Sequence, residues 1–443
     1  MDYKIGLVSL GCAKNRTDSE TMLALLVNEG CEIVTDPAEA EVIIVNTCGF
    51  IYPAKQESIE AILDMARYKE EGHCKKLIVT GCLAERYSDE ILKELPEADA
   101  ILGTGDYDRI PEIIERSFNE PVTPVLCGNI NRTPDGSLPR VLLTPPYTAY
   151  IKIADGCDNN CTYCAIPKIR GRFRSRTIEE ITSEAERLAA NGVKELILIA
   201  QDTTRYGLDI GTTLAALLEE LVKISGIEWI RVHYFYSEAI TKELIDTMAR
   251  HEKICNYIDM PVQHSDNYIL RRMARRTTRE EMEEKIAYMR KALENCYIRT
   301  SIIVGFPGET EEHFANLRDF VEKMRFDRMG VFAYSQEEGT PAAEFPDQID
   351  ESIKQERLDE LMTLQQSISL ELNREKIGSV LEVLVEGYDS ESCLFYGRGR
   401  GDSLDVDGNI YFGTEEEVAP GDIIRVKILD ASEYDLTGMR VTE

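Results

Sequence analysis

Short apolar runs alternate with amphipathic stretches over the first hundred residues of the chain. Lys4–Ser9, Glu41–Asn46 and Lys76–Thr80 read as strands, β-branched in part, and Thr17–Asn28 and Pro53–Tyr68 read as the helices between them. This alternation predicts a doubly wound parallel sheet of the α/β class. From Pro121 to Pro146 the pattern lapses: six of the sixteen prolines fall there, with Gly128, Asn129, Asn131, Asp135 and Gly136, as in a boundary loop. The alternation then resumes. Tyr150–Ala154, Glu195–Ala200, Trp229–His233, Tyr257–Met260, Arg299–Val304 and Met329–Tyr334 are strand candidates, with helical stretches such as Thr177–Ala190, Thr241–Arg250 and Arg279–Glu294 between them. Six successive βα units predict a central partial (β/α)6 barrel, whose chemistry gathers at the C-terminal ends of its strands. Glu351–Glu375 closes it as a long helix with Leu358, Leu361, Leu364, Ile368 and Leu372 on one side. After Gly378 short strands broken by Gly and Asp (Val380–Glu386, Ser392–Tyr396, Ile423–Leu429) predict a small OB-like β-barrel. The expected domains are therefore 1–120, a Pro-rich linker over 121–146, 147–376 and 377–443.

Composition narrows the class. A chain of 443 residues needs more than one core. It has no run of 18 apolar residues and opens directly on a strand, without the charged, apolar, small-residue order of a signal segment, so a cytoplasmic protein with no membrane partner is expected. A net charge of −30 argues against general binding to nucleic acid. Residues 377–443 carry five Lys and Arg against fifteen Asp and Glu, a net charge of −10 that should repel a phosphate backbone. Two acid-free basic runs stand out: Lys168, Arg170, Arg172, Arg174 and Arg176, then Arg271, Arg272, Arg275, Arg276 and Arg279. Such runs usually face solvent. Both follow chemically loaded segments, so they are expected to face an anionic cofactor or substrate.

Twelve cysteines without a signal segment point to metal or redox chemistry rather than disulfides. Cys31, Cys74, Cys127, Cys255, Cys296 and Cys393 have no ligand-like spacing and read as small buried hydrophobes. Cys157, Cys161 and Cys164 form a C-x3-C-x2-C just past a strand, a spacing that wraps one corner of a four-iron cluster and leaves one iron open. Zinc or three structural thiols are the alternatives; zinc wants a fourth ligand, and this segment offers none. The second triplet is dispersed. Cys12, Cys48 and Cys82 each follow a strand, and parallel strands put their C-terminal ends along one edge about 5 Å apart. They are expected to converge as a second cluster site, the small residue beside each leaving room for something bulky.

The C-x3-C-x2-C, with Tyr163 before its last cysteine, resembles the radical S-adenosylmethionine superfamily. That resemblance implies S-adenosylmethionine chelated by the open iron and cleaved to a radical. It implies also that Gly305-Phe306-Pro307-Gly308-Glu309-Thr310 packs along the adenosyl group. Gln201, His264, Gly305 and Glu309, at strand ends, are then expected with Tyr163 in the cofactor or substrate site. Over its whole length the chain is similar to the methylthiotransferase family: Gly11-Cys12-Ala13-Lys14-Asn15 with Asp18-Ser19-Glu20, Asn46-Thr47-Cys48, Gly81-Cys82, Arg170-Gly171 and Ser175-Arg176 all match. The resemblance implies two [4Fe–4S] clusters and two uses of S-adenosylmethionine, one as methyl donor and one as radical source. It implies a C-terminal TRAM barrel, and outside donors of electrons (flavodoxin or ferredoxin type) and of sulfur. The family has a branch acting on tRNA adenosine and one acting on an aspartate of ribosomal protein twelve of the small subunit. Ala13-Lys14-Asn15, Ala200-Gln201-Asp202-Thr203-Thr204 with Tyr206-Gly207, and Glu433-Tyr434-Asp435-Leu436 resemble the second branch. The acidic barrel suits a basic protein better than tRNA. An iron–sulfur electron carrier is the remaining alternative.

Overall fold

The computed structural model describes residues 1–132 and 137–441, so Asp135 and Gly136 of the expected linker lie outside the described residues. The first strands are β1 (Lys4–Ser9), β2 (Glu32–Ile33), β3 (Val42–Thr47), β4 (Lys76–Gly81), β5 (Ala100–Leu102) and β6 (Val125–Leu126). They pair in parallel in the order β2-β1-β3-β4-β5-β6. Every residue of β3 is buried, as in a strand covered on both faces. One apolar cluster around Met22, Leu26 and Ile110 and another around Ile62, Leu83 and Ile91 fill the two faces. The two- and three-residue strands carry no periodic signal, and β6 falls within the stretch that reads as linker.

The central domain contains β7 (Thr148–Lys152), β8 (Ala154–Asp155), β9 (Arg174–Ser175), β10 (Glu195–Ile199), β11 (Trp229–Val232), β12 (Tyr257–Asp259), β13 (Tyr297–Val304) and β14 (Arg328–Ala333). β7, β10 and β11 form one parallel group and β12, β13 and β14 another. The Phe235 N–H donates to the Asp259 carbonyl at 2.8 Å across the join, giving an open six-stranded barrel. β8 and β9 pair antiparallel and bracket the C-x3-C-x2-C segment. The helix Glu351–Glu375 buries Leu361 and Ile368 in the core of this domain.

β15 (Val380–Asp389), β16 (Leu394–Gly399), β17 (Ile410–Gly413), β18 (Ile423–Ala431) and β19 (Leu436–Val441) close a small barrel. The loop between β16 and β17 plugs the six-stranded barrel from the N-terminal ends of its strands. Arg398 and Arg231 both pair with the buried Glu195, at 2.7 and 3.0 Å, Arg328 pairs with Asp402 at 2.8 Å, and Tyr257 donates to Asp407 at 2.7 Å. The N-terminal domain sits over the opposite, C-terminal ends.

Candidate active site

Because β1, β3 and β4 are neighbours, the residues just past their C-terminal ends meet. A Cβ placed on Gly11 would stand 2.9 Å from Cys48 Cβ. Gly81 takes a φ of +92°, and a side chain there would collide with Asn46 and Thr47. These glycines let strand ends approach one another; the room expected beside the cysteines is filled by protein. Asn15 locks the edge, its amide donating to Thr47 O at 2.8 Å and Leu10 O at 3.1 Å, while its oxygen accepts from the Cys82 thiol at 3.6 Å. Cys12 precedes the uncapped N-terminus of the helix Ala13–Asn28, whose positive end favours a thiolate. Cys12 exposes surface, and Lys14, Arg170 and Asn15 stand around its thiol. Burial alone would raise its pKa; Lys14 and Arg170 outweigh it and hold the thiol below its ordinary range. Burial, and then the neighbouring Cys82, push Cys48 up to about 12.

The second triplet is pinned from several sides. Thr162 donates from its backbone to Met273 O at 3.1 Å and from its hydroxyl to Arg272 O at 2.8 Å. The Asn159 N–H donates to Cys157 Sγ at 3.4 Å, and the Asn159 amide donates to Asp202 at 2.8 Å. Tyr236 places its hydroxyl 3.4 Å from Cys161 Sγ, and the Arg275 guanidinium lies over that ring at 3.9 Å. Burial raises Cys157 to about 11, and burial with Cys161 raises Cys164. Tyr236 and Arg275 escaped the sequence reading, because only the fold brings them to a cysteine.

The two triplets flank one short helix, Ile166–Arg170. Cys82 packs against Ala165 and Ile169, and Arg170 reaches Cys82 Sγ at 3.7 Å and Asp18 at 2.6 Å. Lys152 also binds Asp18, at 2.6 Å, and Asp155 at 3.1 Å, so two cations and two carboxylates alternate through the junction. Among the described residues no three His, Cys, Asp or Glu groups close on a single ion, as zinc requires. A cubane takes one thiolate per iron on separate corners. Each triplet fits such a cluster in donor chemistry: three sulfurs, with Lys14 and Arg170 beside one set and Arg275 beside the other to offset thiolate charge.

The remaining expected residues divide. Tyr163 packs against the apolar cluster that holds Met273, Phe306 and Tyr334, which joins the cysteine loop to the Gly305 turn. Gly305 has a φ of +68° and lies against Lys354 of the long helix. Gln201 donates to Asp155 at 3.0 Å, while its buried carbonyl oxygen has no hydrogen-bond partner among the described residues. His264 and Glu309 are fully buried and face each other at 3.2 Å, out of hydrogen-bond alignment. Glu309 also accepts from the Gly305 N–H at 3.0 Å and from Arg357 at 2.7 Å, so it braces the turn from behind. The basic runs do not mainly face a ligand. Arg172 pairs with Asp158, Arg176 with Glu184, Arg272 with Asp347, Arg275 with Glu238 and Arg279 with Glu283. Of the six unpatterned cysteines, Cys31, Cys74 and Cys255 are buried and Cys127 and Cys296 partly so. Cys393 is exposed in a left-handed turn, so the buried reading fails there.

Comparison with known proteins agrees with this architecture. The Radical SAM superfamily matches residues 151–321, the uncharacterized protein family UPF0004 residues 4–103, and the TRAM domain residues 377–441. Radical S-adenosylmethionine methyltransferase TsrM from Kitasatospora setae, solved with cobalamin and a [4Fe-4S] cluster, has a similar fold. Its TM-score is 0.56 at 14% identity, covering 86% of this chain and 81% of that one. The chain is thus a radical S-adenosylmethionine enzyme, a class that works with a [4Fe–4S] cluster and S-adenosylmethionine. "Ribosomal protein uS12 methylthiotransferase RimO" of Clostridioides difficile strain 630 is 51% identical over 98% of each chain. The protein of that name in Clostridium perfringens strain 13 is 51% identical over 100% of this chain and 99% of its own. The chain belongs to the RimO family of methylthiotransferases.

Proposed function

We propose that this enzyme inserts sulfur and transfers methyl to give a β-methylthio aspartate on ribosomal protein uS12. One observation carries the reading: two three-cysteine sets stand on either side of the helix Ile166–Arg170, with Arg170 bonded to a cysteine of the far set. Cys157, Cys161 and Cys164 are assigned to the radical-generating [4Fe–4S] cluster, and Cys12, Cys48 and Cys82 to a second. A cluster held by the first set would supply an electron for S-adenosylmethionine cleavage, and one held by the second would supply iron for sulfur chemistry. The chain's own residues build the setting. Tyr163 and the Gly305 turn form a surface for S-adenosylmethionine, Gln201 offers it an acceptor, and Arg170 with Lys152, Asp18 and Asp155 fixes the distance between the sets. A flavodoxin or ferredoxin would bring electrons and a separate donor the sulfur, in the cytoplasm where ribosomes are made. The acidic small barrel favours uS12 over tRNA.

Mass spectrometry of uS12 from a deletion strain tests the substrate: the methylthio mass should vanish, and its persistence would refute the assignment. Alanine at Cys157, Cys161 or Cys164 should abolish 5′-deoxyadenosine formation. Alanine at Cys12, Cys48 or Cys82 should spare it and stop sulfur insertion. Equal loss of cleavage from both sets would sink the division of labour.

A further inference from the structure

Lys14 sits two residues after Cys12, in the first turn of the helix Ala13–Asn28, with only 8% of its surface exposed. Its ammonium lies 3.2 Å from the centroid of the Tyr234 ring. Among the described residues no carboxylate pairs with it; Asp18, one turn along, is held by Lys152 and Arg170. A buried ammonium without a carboxylate is costly. The neighbouring cations differ: Lys152, Arg170 and Arg16 all have carboxylate partners within 2.7 Å. The tyrosine beneath Lys14 is itself held in an unusual backbone. Tyr234, just past β11, has a φ of +59°, fixed by its N–H donating to Asp259 at 3.0 Å and its carbonyl accepting from Thr203 at 3.1 Å. Strain of this kind at a barrel strand end marks a functional position.

The barrel interior also carries an exposed apolar residue. β13 and β14 run with Ser301 paired to Gly330 and Ile303 to Phe332. Phe332 has the parity of Arg328, which faces the plugging loop, so it points to the barrel interior; there it remains 49% exposed. An apolar residue near the C-terminal end of β14 and a buried ammonium with no carboxylate partner among the described residues, over the residue that follows β11, thus both stand at the strand ends of this domain.

We propose that Lys14 receives the carboxylate of the substrate aspartate and so selects that residue for methylthiolation; the inference rests on the uS12 reading above. The carbon to be modified is the one next to that carboxylate. Anchoring the carboxylate two residues from Cys12 therefore presents this carbon to the sulfur-delivering set.

The test is equilibrium binding of isolated uS12, and of uS12 with its target Asp→Asn, to the reconstituted enzyme with S-adenosylmethionine. Wild type, Lys14→Met and Lys14→Arg are compared, with iron content measured on each to check the assembled state. Wild type should prefer the Asp form. Lys14→Met should weaken the Asp form by roughly tenfold to a hundredfold, with little change for the Asn form, and Lys14→Arg should recover part of the preference. An unchanged Asp-to-Asn ratio in Lys14→Met, or equal weakening of both forms, overturns the role of Lys14 while leaving the uS12 reading intact. If wild type binds neither form, the uS12 reading falls and takes this inference with it.

Discussion

Arg170 links the cysteine sets at the level of a single side chain. Its guanidinium is buried, holds Asp18 at 2.6 Å, stands 3.6 Å from Asp155 and donates toward Cys82. Removing it leaves two buried carboxylates with Lys152 alone, a change on the order of 3–5 kcal/mol. Arg170→Gln should therefore lower the melting temperature and reduce iron bound by the Cys12 set. The latter is measured by iron and sulfide analysis in a chain whose Cys157, Cys161 and Cys164 are alanine. Arg170→Lys keeps the charge but not the planar fork, so stability should recover further than iron content does. A full iron complement in Arg170→Gln would show that Cys82 needs no such brace. The sequence names Arg170 as part of a motif; its partners, 152 and 88 residues away along the chain, appear only with the domains docked.

Two elements carry the next scale. The Gly305 turn was legible from its glycines and proline, but its support was not, since Arg357 lies 48 residues further on. Glu309→Gln keeps the acceptor for the Gly305 N–H and strips the charge from the Arg357 pair. It should cost about 3 kcal/mol of stability and weaken S-adenosylmethionine binding by calorimetry while iron at the Cys157 set is retained. The helix Ala13–Asn28 shows the same limit. Its first turns, Lys14 through Thr21, are polar and largely buried against the central domain, so no apolar stripe announces them and periodicity begins only at Thr17. β1 and the helix Glu351–Glu375, whose patterns face their own cores, match the sequence reading at both ends. The seat of the small barrel on the central domain has a pH signature. Burial opposes ionisation of Glu195, yet Arg398 and Arg231 hold it at about 2 against an ordinary 4.5. Its contribution is present above pH 4.5 and is lost as pH falls towards 2. Burial holds His233, bonded to Ser403 of the loop between β16 and β17 at 2.8 Å, at about 4 against an ordinary 6.5. Between those values the unfolded chain takes a proton that the folded one refuses, so stability also falls there. Denaturation midpoints should drop from neutral pH to pH ~4, and His233→Asn should flatten that slope.

For the molecule as a whole, charge sets the approach of the partner. The small barrel turns Glu382, Glu391, Glu415, Glu416, Glu417 and Glu433 outward, while Arg398 is buried within the seat on the central domain. Asp402 and Asp407 are buried in the same seat, and the outward carboxylates still leave the outer surface acidic. A field of one sign steers a basic protein during diffusion, acts mainly on the association rate, and is screened over a Debye length of about 8 Å at physiological salt. The same field repels nucleic acid, whose binding would need basic groups there. Association of uS12 should therefore slow steeply between ~0.05 M and ~0.5 M salt, with dissociation changing less. Reversing Glu415, Glu416 and Glu417 to Lys should slow uS12 association at low salt by roughly tenfold and erase most of the salt dependence. Stopped-flow or surface-binding kinetics read both quantities. These three residues contact neither cysteine set nor Lys14, so 5′-deoxyadenosine formation without uS12 should be unaffected. If the charge reversal leaves uS12 kinetics untouched and the variant gains tight tRNA binding at wild-type fold stability, the barrel is a nucleic-acid module held in check by its acids. If it slows uS12 alone, the barrel is the docking module for the basic ribosomal protein.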